Sequence, residues 1–173
     1  MTDDFYTNED TSQPQRLPDD VRRERAMAVA SDILEMSERF NMNTYFSTGK
    51  RPDFILEDGR PPVSSLSLKD FRHTCGTTMC IAGFAATRAC PEATIKLAGF
   101  VNFPHDELTD DVARKWLGLS KKEAMELFFA YDLRAEDAAE VLDDYAEKGV
   151  LNIDLIYRRE REERERNPRE DED

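Results

Sequence analysis

His73-Thr74-Cys75-Gly76-Thr77-Thr78-Met79-Cys80-Ile81-Ala82-Gly83-Phe84-Ala85-Ala86 concentrates two of the three cysteines, one of the two histidines and an abrupt passage from loop to helix. Thr77 or Thr78 supplies an N-cap hydroxyl for a helix that runs through Met79 to Ala89 and is ended by Pro91. Within it, Ile81-Ala82-Gly83-Phe84-Ala85-Ala86 puts small residues on successive turns, so that another helix can approach closely. A glycine in such a helix costs about 1 kcal/mol relative to alanine, and close packing at Gly83 is the expected return. The stretch therefore reads as the central helix of the fold and its lead-in.

The same residues raise the question of chemistry. His73, Cys75, Cys80 and Cys90 are the soft donors that zinc prefers, but the chain has no tight Cys-x2-Cys pair. Cys80 and Cys90 also fall about 15 Å apart along one helix, too far to share an ion. No metal and no cofactor are expected. A cysteine at a helix start can have a lowered pKa, which makes Cys75 or Cys80, with His73 or His105 as base, the enzymatic alternative. Small buried cysteines beside Gly76, Ala82 and Gly83 are explained as well by packing, and no catalytic residue is assigned. Cys75, Gly76, Thr77, Cys80, Ala82 and Gly83 are accordingly read as the core of the motif.

Working upstream, Pro18-Asp19-Asp20 opens a helix, its carboxylates at the positive end of the dipole. Ala26, Val29, Ile33, Met36 and Phe40 recur at spacings of three and four and form its inner face, opposite Glu24, Ser31, Glu35 and Glu38. This helix should stop near Asn41, after which Met42-Asn43-Thr44-Tyr45-Phe46 returns toward the core. Gly49 to Pro62 holds two glycines and three prolines and reads as a long exposed loop. Residues 1–17 offer only Phe5, Tyr6 and Leu17 as bulky apolar side chains after Met1, and are expected to form a flexible acidic arm.

Downstream, Glu92 to Phe100 predicts a short helix ended at Gly99, followed by a loop over Asn102-Phe103-Pro104-His105. Thr109-Asp110-Asp111 caps a helix that reaches Gly118 through Trp116 and Leu117, and Ser120-Lys121-Lys122-Glu123 is a capping box opening the next. The pair is an αα-hairpin in preference to a DNA-reading helix-turn-helix, because its second helix carries Glu123, Met125, Glu126 and Phe129. Glu136 to Lys148 is amphipathic, with Ala139, Val141, Leu142 and Tyr145 inward and Gly149 as its stop. Val150 to Tyr157 fits a short strand or the start of a last helix. From Arg158 to Arg166 every residue is Arg or Glu, which predicts a solvated helical tail within residues 158–173.

The formal charge of -13 argues against direct contact with nucleic acid or anionic membrane, both of which need a basic surface. It serves solubility, and it also suits an acidic face that occupies another protein's basic groove. The chain opens with the acidic Met1-Thr2-Asp3-Asp4 and no apolar leader, so a reducing cytoplasm is the expected compartment, that of the host if a phage encodes it. Walker, dinucleotide and zincin motifs do not occur.

Phe40-Asn41-Met42-Asn43-Thr44-Tyr45-Phe46, Cys75-Gly76-Thr77-Thr78-Met79-Cys80-Ile81-Ala82-Gly83 and Leu117-Gly118-Leu119-Ser120 through Leu127-Phe128 together resemble a group of small uncharacterised proteins of actinobacteria and their phages. That group shares a Cys-Gly-Thr-x-x-Cys-x-Ala-Gly motif, and the resemblance spans roughly Val21 to Lys148. Phe84 stands where the group typically has Trp or His. The resemblance implies a phage or prophage origin and a helical fold; it carries no activity.

The expected architecture is mainly α: a compact multi-helix domain over residues 18–157, a long loop before its central helix, and flexible charged ends. The expected function is that of a nonenzymatic phage-type accessory protein that binds a host or phage protein, inhibiting a nucleic-acid-binding or defence factor through its acidic surface. Phe128, Phe129 and Tyr131 are the candidate partner surface, since one narrow helix face cannot bury all three, and core packing should claim two of them. A cysteine-dependent enzyme using Cys75 or Cys80 and a self-associating structural phage protein are the alternatives; homo-oligomers fit the second.

Overall fold

The computed structural model describes residues 17–47, 66–73, 78–95 and 101–166, the side chains of 159, 160, 163 and 164 excepted. The arm over residues 1–16, the loop from Gly49 to Pro62, the motif residues Cys75, Gly76 and Thr77, the helix end proposed at Gly99, and the last residues of the tail lie outside the described residues.

The fold is mainly α-helical. In chain order it comprises α1 (Asp19–Glu35), β1 (Phe46–Ser47), α2 (Leu68–Arg72), β2 (Thr78–Met79), α3 (Ile81–Ala89), β3 (Thr94–Ile95), β4 (Val101–Asn102), α4 (Thr109–Leu117), α5 (Lys121–Phe128), α6 (Ala135–Lys148), α7 (Ile153–Ile156) and α8 (Arg158–Arg166). Among the described residues, no helix is long and apolar enough to cross a membrane.

Helix α3 is the centre: Ile81 through Thr87 are all buried, and α1, α2, α4 and α5 pack on it. Helix α1 lies along α6 and also meets α3 and α4, so its Ala26, Val29 and Ile33 are fully enclosed. It ends at Glu35, earlier than the apolar spacing predicts, and a 3-10 turn over Ser37–Arg39 follows. The reason is a competing backbone pairing: Phe40 bridges Met79, and Asn41 N donates to the Met79 carbonyl at 2.9 Å. Met36 and Phe40 still pack against the core, but from non-helical backbone.

The start of α3 also differs from expectation. Its N-cap is Cys80, and Thr78 and Met79 are extended, paired antiparallel with Ser47 and Phe46. Glu92 to Phe100 is not a helix where it is described: Thr94–Ile95 pairs antiparallel with Val101–Asn102, and Pro104–Asp106 is a 3-10 turn. Within Val150 to Tyr157 the chain is helical at Ile153–Ile156, which is α7, and forms no strand. In α2 the first-turn amides of Leu68 and Lys69, which have no helical partner, donate to the carbonyls of Ala93 and Pro91 at 2.8 and 2.9 Å, so five residues hold a helix with tertiary help.

The capping box is realised: Glu123 N donates to Ser120 Oγ at 3.2 Å and Ser120 N to Glu123 Oε2 at 2.8 Å. Gly118 and Gly149 end α4 and α6 in the left-handed conformation that a side chain would strain. The exposed carbonyls at these ends are taken by side chains from elsewhere. Tyr145 OH donates to the Leu117 carbonyl at 3.1 Å and Arg25 to that of Trp116 at 2.8 Å, its guanidinium over the Trp116 ring.

Two contacts fix how the inner helices meet. Asp32 of α1, its side chain 3% exposed, accepts a fork from Arg88 of α3 at 2.6 and 2.7 Å and a further bond from Arg72 of α2. That hydrogen bonding holds Arg88 more firmly protonated than usual. Gly83 is the second: a Cβ there would stand 2.3 Å from the Tyr45 carbonyl oxygen and 3.1 Å from Met79 Cβ.

Asp32→Ala is expected to destabilise the protein by about 3 kcal/mol, the lower end for a broken buried pair, because water screens the partly exposed Arg88. Gly83→Ala is expected to cost roughly 1–3 kcal/mol through overpacking, despite the gain in helix propensity. Urea midpoints at unchanged slope would check both.

Candidate functional site

An open cleft of about 470 Å³ lies where three remote parts of the chain converge. One wall is the segment Met42 to Phe46, the second is Leu108, Thr109 and Asp110 at the start of α4, and the third is Phe128, Phe129 and Tyr131 at the end of α5. Its size is within the range of about 300–1,000 Å³ usual for binding sites.

The first wall is held by its ends. Met42 and Phe46 are buried, Phe46 edge-on to Phe71 with ring centres 5.7 Å apart. Between them the chain turns on Asn41, whose side-chain oxygen accepts from Asn43 N at 2.9 Å. The third wall follows from how α5 stops. Phe129 is its C-cap, and the chain then bends through bonds from Tyr131 N to the Phe129 carbonyl and from Leu133 N to the Ala130 carbonyl. Ala130 and Leu133 go into the core, which turns the alternate residues outward: Phe129 is 45% and Tyr131 55% exposed. Their rings meet edge to face at 6.2 Å. Leu108 opposite is 64% exposed.

Of the three aromatics expected to form a partner surface, Phe129 and Tyr131 are exposed, whereas Phe128 borders the cleft but is 3% exposed and packs in the core. The expectation that packing would claim two of them is thus corrected to one, because α5 ends at Phe128 and helical periodicity no longer governs the next residues.

Between its apolar walls the cleft holds one carboxylate, Asp110, and the hydroxyls of Thr44, Tyr45, Thr109 and Tyr131. Asp110 is its sole charged lining residue, and it has no ion-pair partner among the described residues, whereas the adjacent Asp111 pairs with Arg114 at 3.3 Å and Glu107 pairs with Lys115. Burial, and then the charge of Asp110, push the Tyr45 phenol up to about 12. The Cys80 and Tyr131 side chains add smaller contributions, as expected of groups gathered on one site.

Cys80 borders the cleft but is 1% exposed. Burial pushes its thiol up to about 11, against partial relief from the backbone amides of Gly83 and Ala82. At neutral pH it is a neutral thiol and a poor nucleophile. Burial also raises Cys90, which is only half-buried. Ala82 and Gly83 are buried in α3, and Thr87 Oγ donates to the Gly83 carbonyl at 2.9 Å. His73 caps the end of α2 and His105 sits in the turn before α4 with φ 63°; neither lines the cleft. No group of three or more His, Cys, Asp or Glu that could hold a metal occurs among the described residues. Tyr45, Leu108 and Asp110 went unremarked as site residues in the sequence, since nothing in the chain marks three segments of such different separation as neighbours.

Two thiol measurements follow. With a thiol-specific reagent at neutral pH, Cys90 should be modified well before Cys80, whose reaction should speed up as pH rises toward 11. Because the folded thiol has the higher pKa, the folded state binds more protons between about pH 9 and 11, and stability should fall across that window, by up to about 3 kcal/mol from Cys80. Chemical denaturation at pH 8, 9.5 and 11, repeated on Cys80→Ala, would check it: the variant should lose part of the alkaline decline.

No protein-family model, no curated protein and no solved structure matches the chain.

Proposed function

We propose that the protein acts without catalysis, by binding another protein, and that the cleft between α4, α5 and the Met42–Phe46 segment is its docking surface. The observation that supports this is the outward placement of Phe129 and Tyr131 beside an open apolar cleft. Aromatic side chains of this kind add large contact area at low conformational cost and dominate binding energy in protein interfaces. A neutral, buried Cys80 is a poor nucleophile, which weighs against the Cys80 form of the enzymatic alternative; Cys75 lies outside the described residues.

The net charge of -13 favours a basic partner. Proteins that bind nucleic acid carry such surfaces, so the fuller form of the proposal is a phage-type accessory protein that inhibits a nucleic-acid-binding or defence factor by covering its basic face. The partner would be met in the cytoplasm of the host.

The test is affinity purification from an actinobacterial lysate with two baits, wild type and Phe129→Ser/Tyr131→Ser. Both side chains are exposed, so the variant should fold and melt as the wild type does. A protein retained in stoichiometric amount by wild type and lost at least tenfold by the variant is the expected outcome. Equal retention by both baits would overturn the cleft as docking surface. Retention of a tagged copy by an untagged one, with a solution mass that doubles with concentration, would replace the proposal by self-association.

A further inference from the structure

The chemistry of the cleft specifies what enters it. Its lining combines the exposed rings of Phe129 and Tyr131, the half-buried Tyr45 and the carboxylate of Asp110, with no lysine or arginine among the residues that line it. An aromatic ring carries negative charge on its face and attracts a cation placed over it. The Asp110 carboxylate, without a paired cation among the described residues and on the wall that faces the rings, completes a site for an organic cation.

We propose that the cleft receives the cationic side chain of an arginine or lysine presented by the partner protein, laid against Phe129 and Tyr131 and paired with Asp110. This rests on the protein-binding reading and deepens it: recognition is by a cation in an aromatic cleft, more than by an apolar anchor. Guanidinium fits better than ammonium, because its planar, weakly hydrated group can stack on a ring and fork to a carboxylate at once. The residues next to the inserted one are expected to be apolar, to cover Leu108.

The experiment titrates the isotopically labelled full-length protein with N-acetylarginine amide, N-acetylcitrulline amide and N-acetylleucine amide, followed by NMR. Citrulline keeps the shape of arginine and lacks its charge. The arginine probe should shift the amides of Thr44, Tyr45, Asp110 and Tyr131, and bind at least fivefold more tightly than the citrulline probe. Asp110→Asn should weaken arginine binding by about two- to fivefold, the range for a partly exposed ion pair, and leave the citrulline probe unaffected. Equal responses to arginine and citrulline, tighter binding of the leucine probe, shifts spread along the acidic surfaces of α1 and α6, or an unchanged isotherm in Asp110→Asn would each overturn the proposal. A partner that depends on Phe129 and Tyr131 while the arginine probe fails would leave the docking surface standing and remove only its cationic chemistry. Arginine binding with no partner dependent on those rings would do the reverse.

Discussion

The approach of the Tyr45 carbonyl to the backbone of Gly83 sets the position of almost everything around the cleft. With a Cβ at Gly83 the oxygen would stand at 2.3 Å, so the segment from Met42 to Ser47 can lie against α3 only because that residue is glycine. Lying there, Phe46 and Ser47 pair with Met79 and Thr78, and Phe40 and Asn41 bond to Met79 from the other side. These pairings extend the chain up to Cys80 and delay the start of α3. They also present Thr44 and Tyr45 to the cleft. Packing in the core and the shape of a surface site thus share one residue.

A buried charge cluster holds the same helix from its other end. Asp32 is almost fully enclosed and is bonded by arginines from two other helices. Such a cluster contributes little net stability compared with apolar packing, because the Asp32 carboxylate, and in part the Arg72 guanidinium, lose hydration to form it. Drawing the arginines away would leave the enclosed Asp32 carboxylate without its partners, which opposes separation of α1 from α2 and α3. Around it the molecule is tied by long-range polar contacts to helix ends, as in Arg25 to Trp116, Tyr145 to Leu117 and the amides of α2 to Pro91 and Ala93. Short helices with weak intrinsic propensity persist through such contacts.

The cleft differs from this interior in its balance of groups. Inside, the Asp32 carboxylate is paired and the rings are enclosed; at the cleft a carboxylate stands without a paired cation among the described residues, and two rings face water. Exposed rings offer apolar area for a partner to bury, and the cation-binding chemistry proposed above joins the unpaired charge to those rings in a single ligand. The neutral thiol of Cys80 belongs with the interior, although the cleft touches it.

Local pattern alone determined the mainly helical fold, the capping box at Ser120, the stops at Gly118 and Gly149, the inner faces of α1 and α6 and the central place of α3. The caps, stops and inner faces depend on contacts within a few residues, which a 3.6-residue period or a capping hydroxyl records directly in the order of side chains, and the central place of α3 is legible from its run of small and apolar residues. Pattern likewise drew attention to Phe129 and Tyr131, as apolar residues in excess of one helical face. What only the tertiary structure decided was that Phe128 is core, that α1 stops at Glu35, that Thr78 and Met79 are extended, and that the residues after α3 pair as strands. It alone assembled Tyr45, Leu108 and Asp110 beside Phe129 and Tyr131. The physical reason is that most of these are settled by hydrogen bonds or packing between segments tens of residues apart, and the β3–β4 pairing by bonds across a short turn, where pairing with a partner outside the local helical period outweighs local propensity.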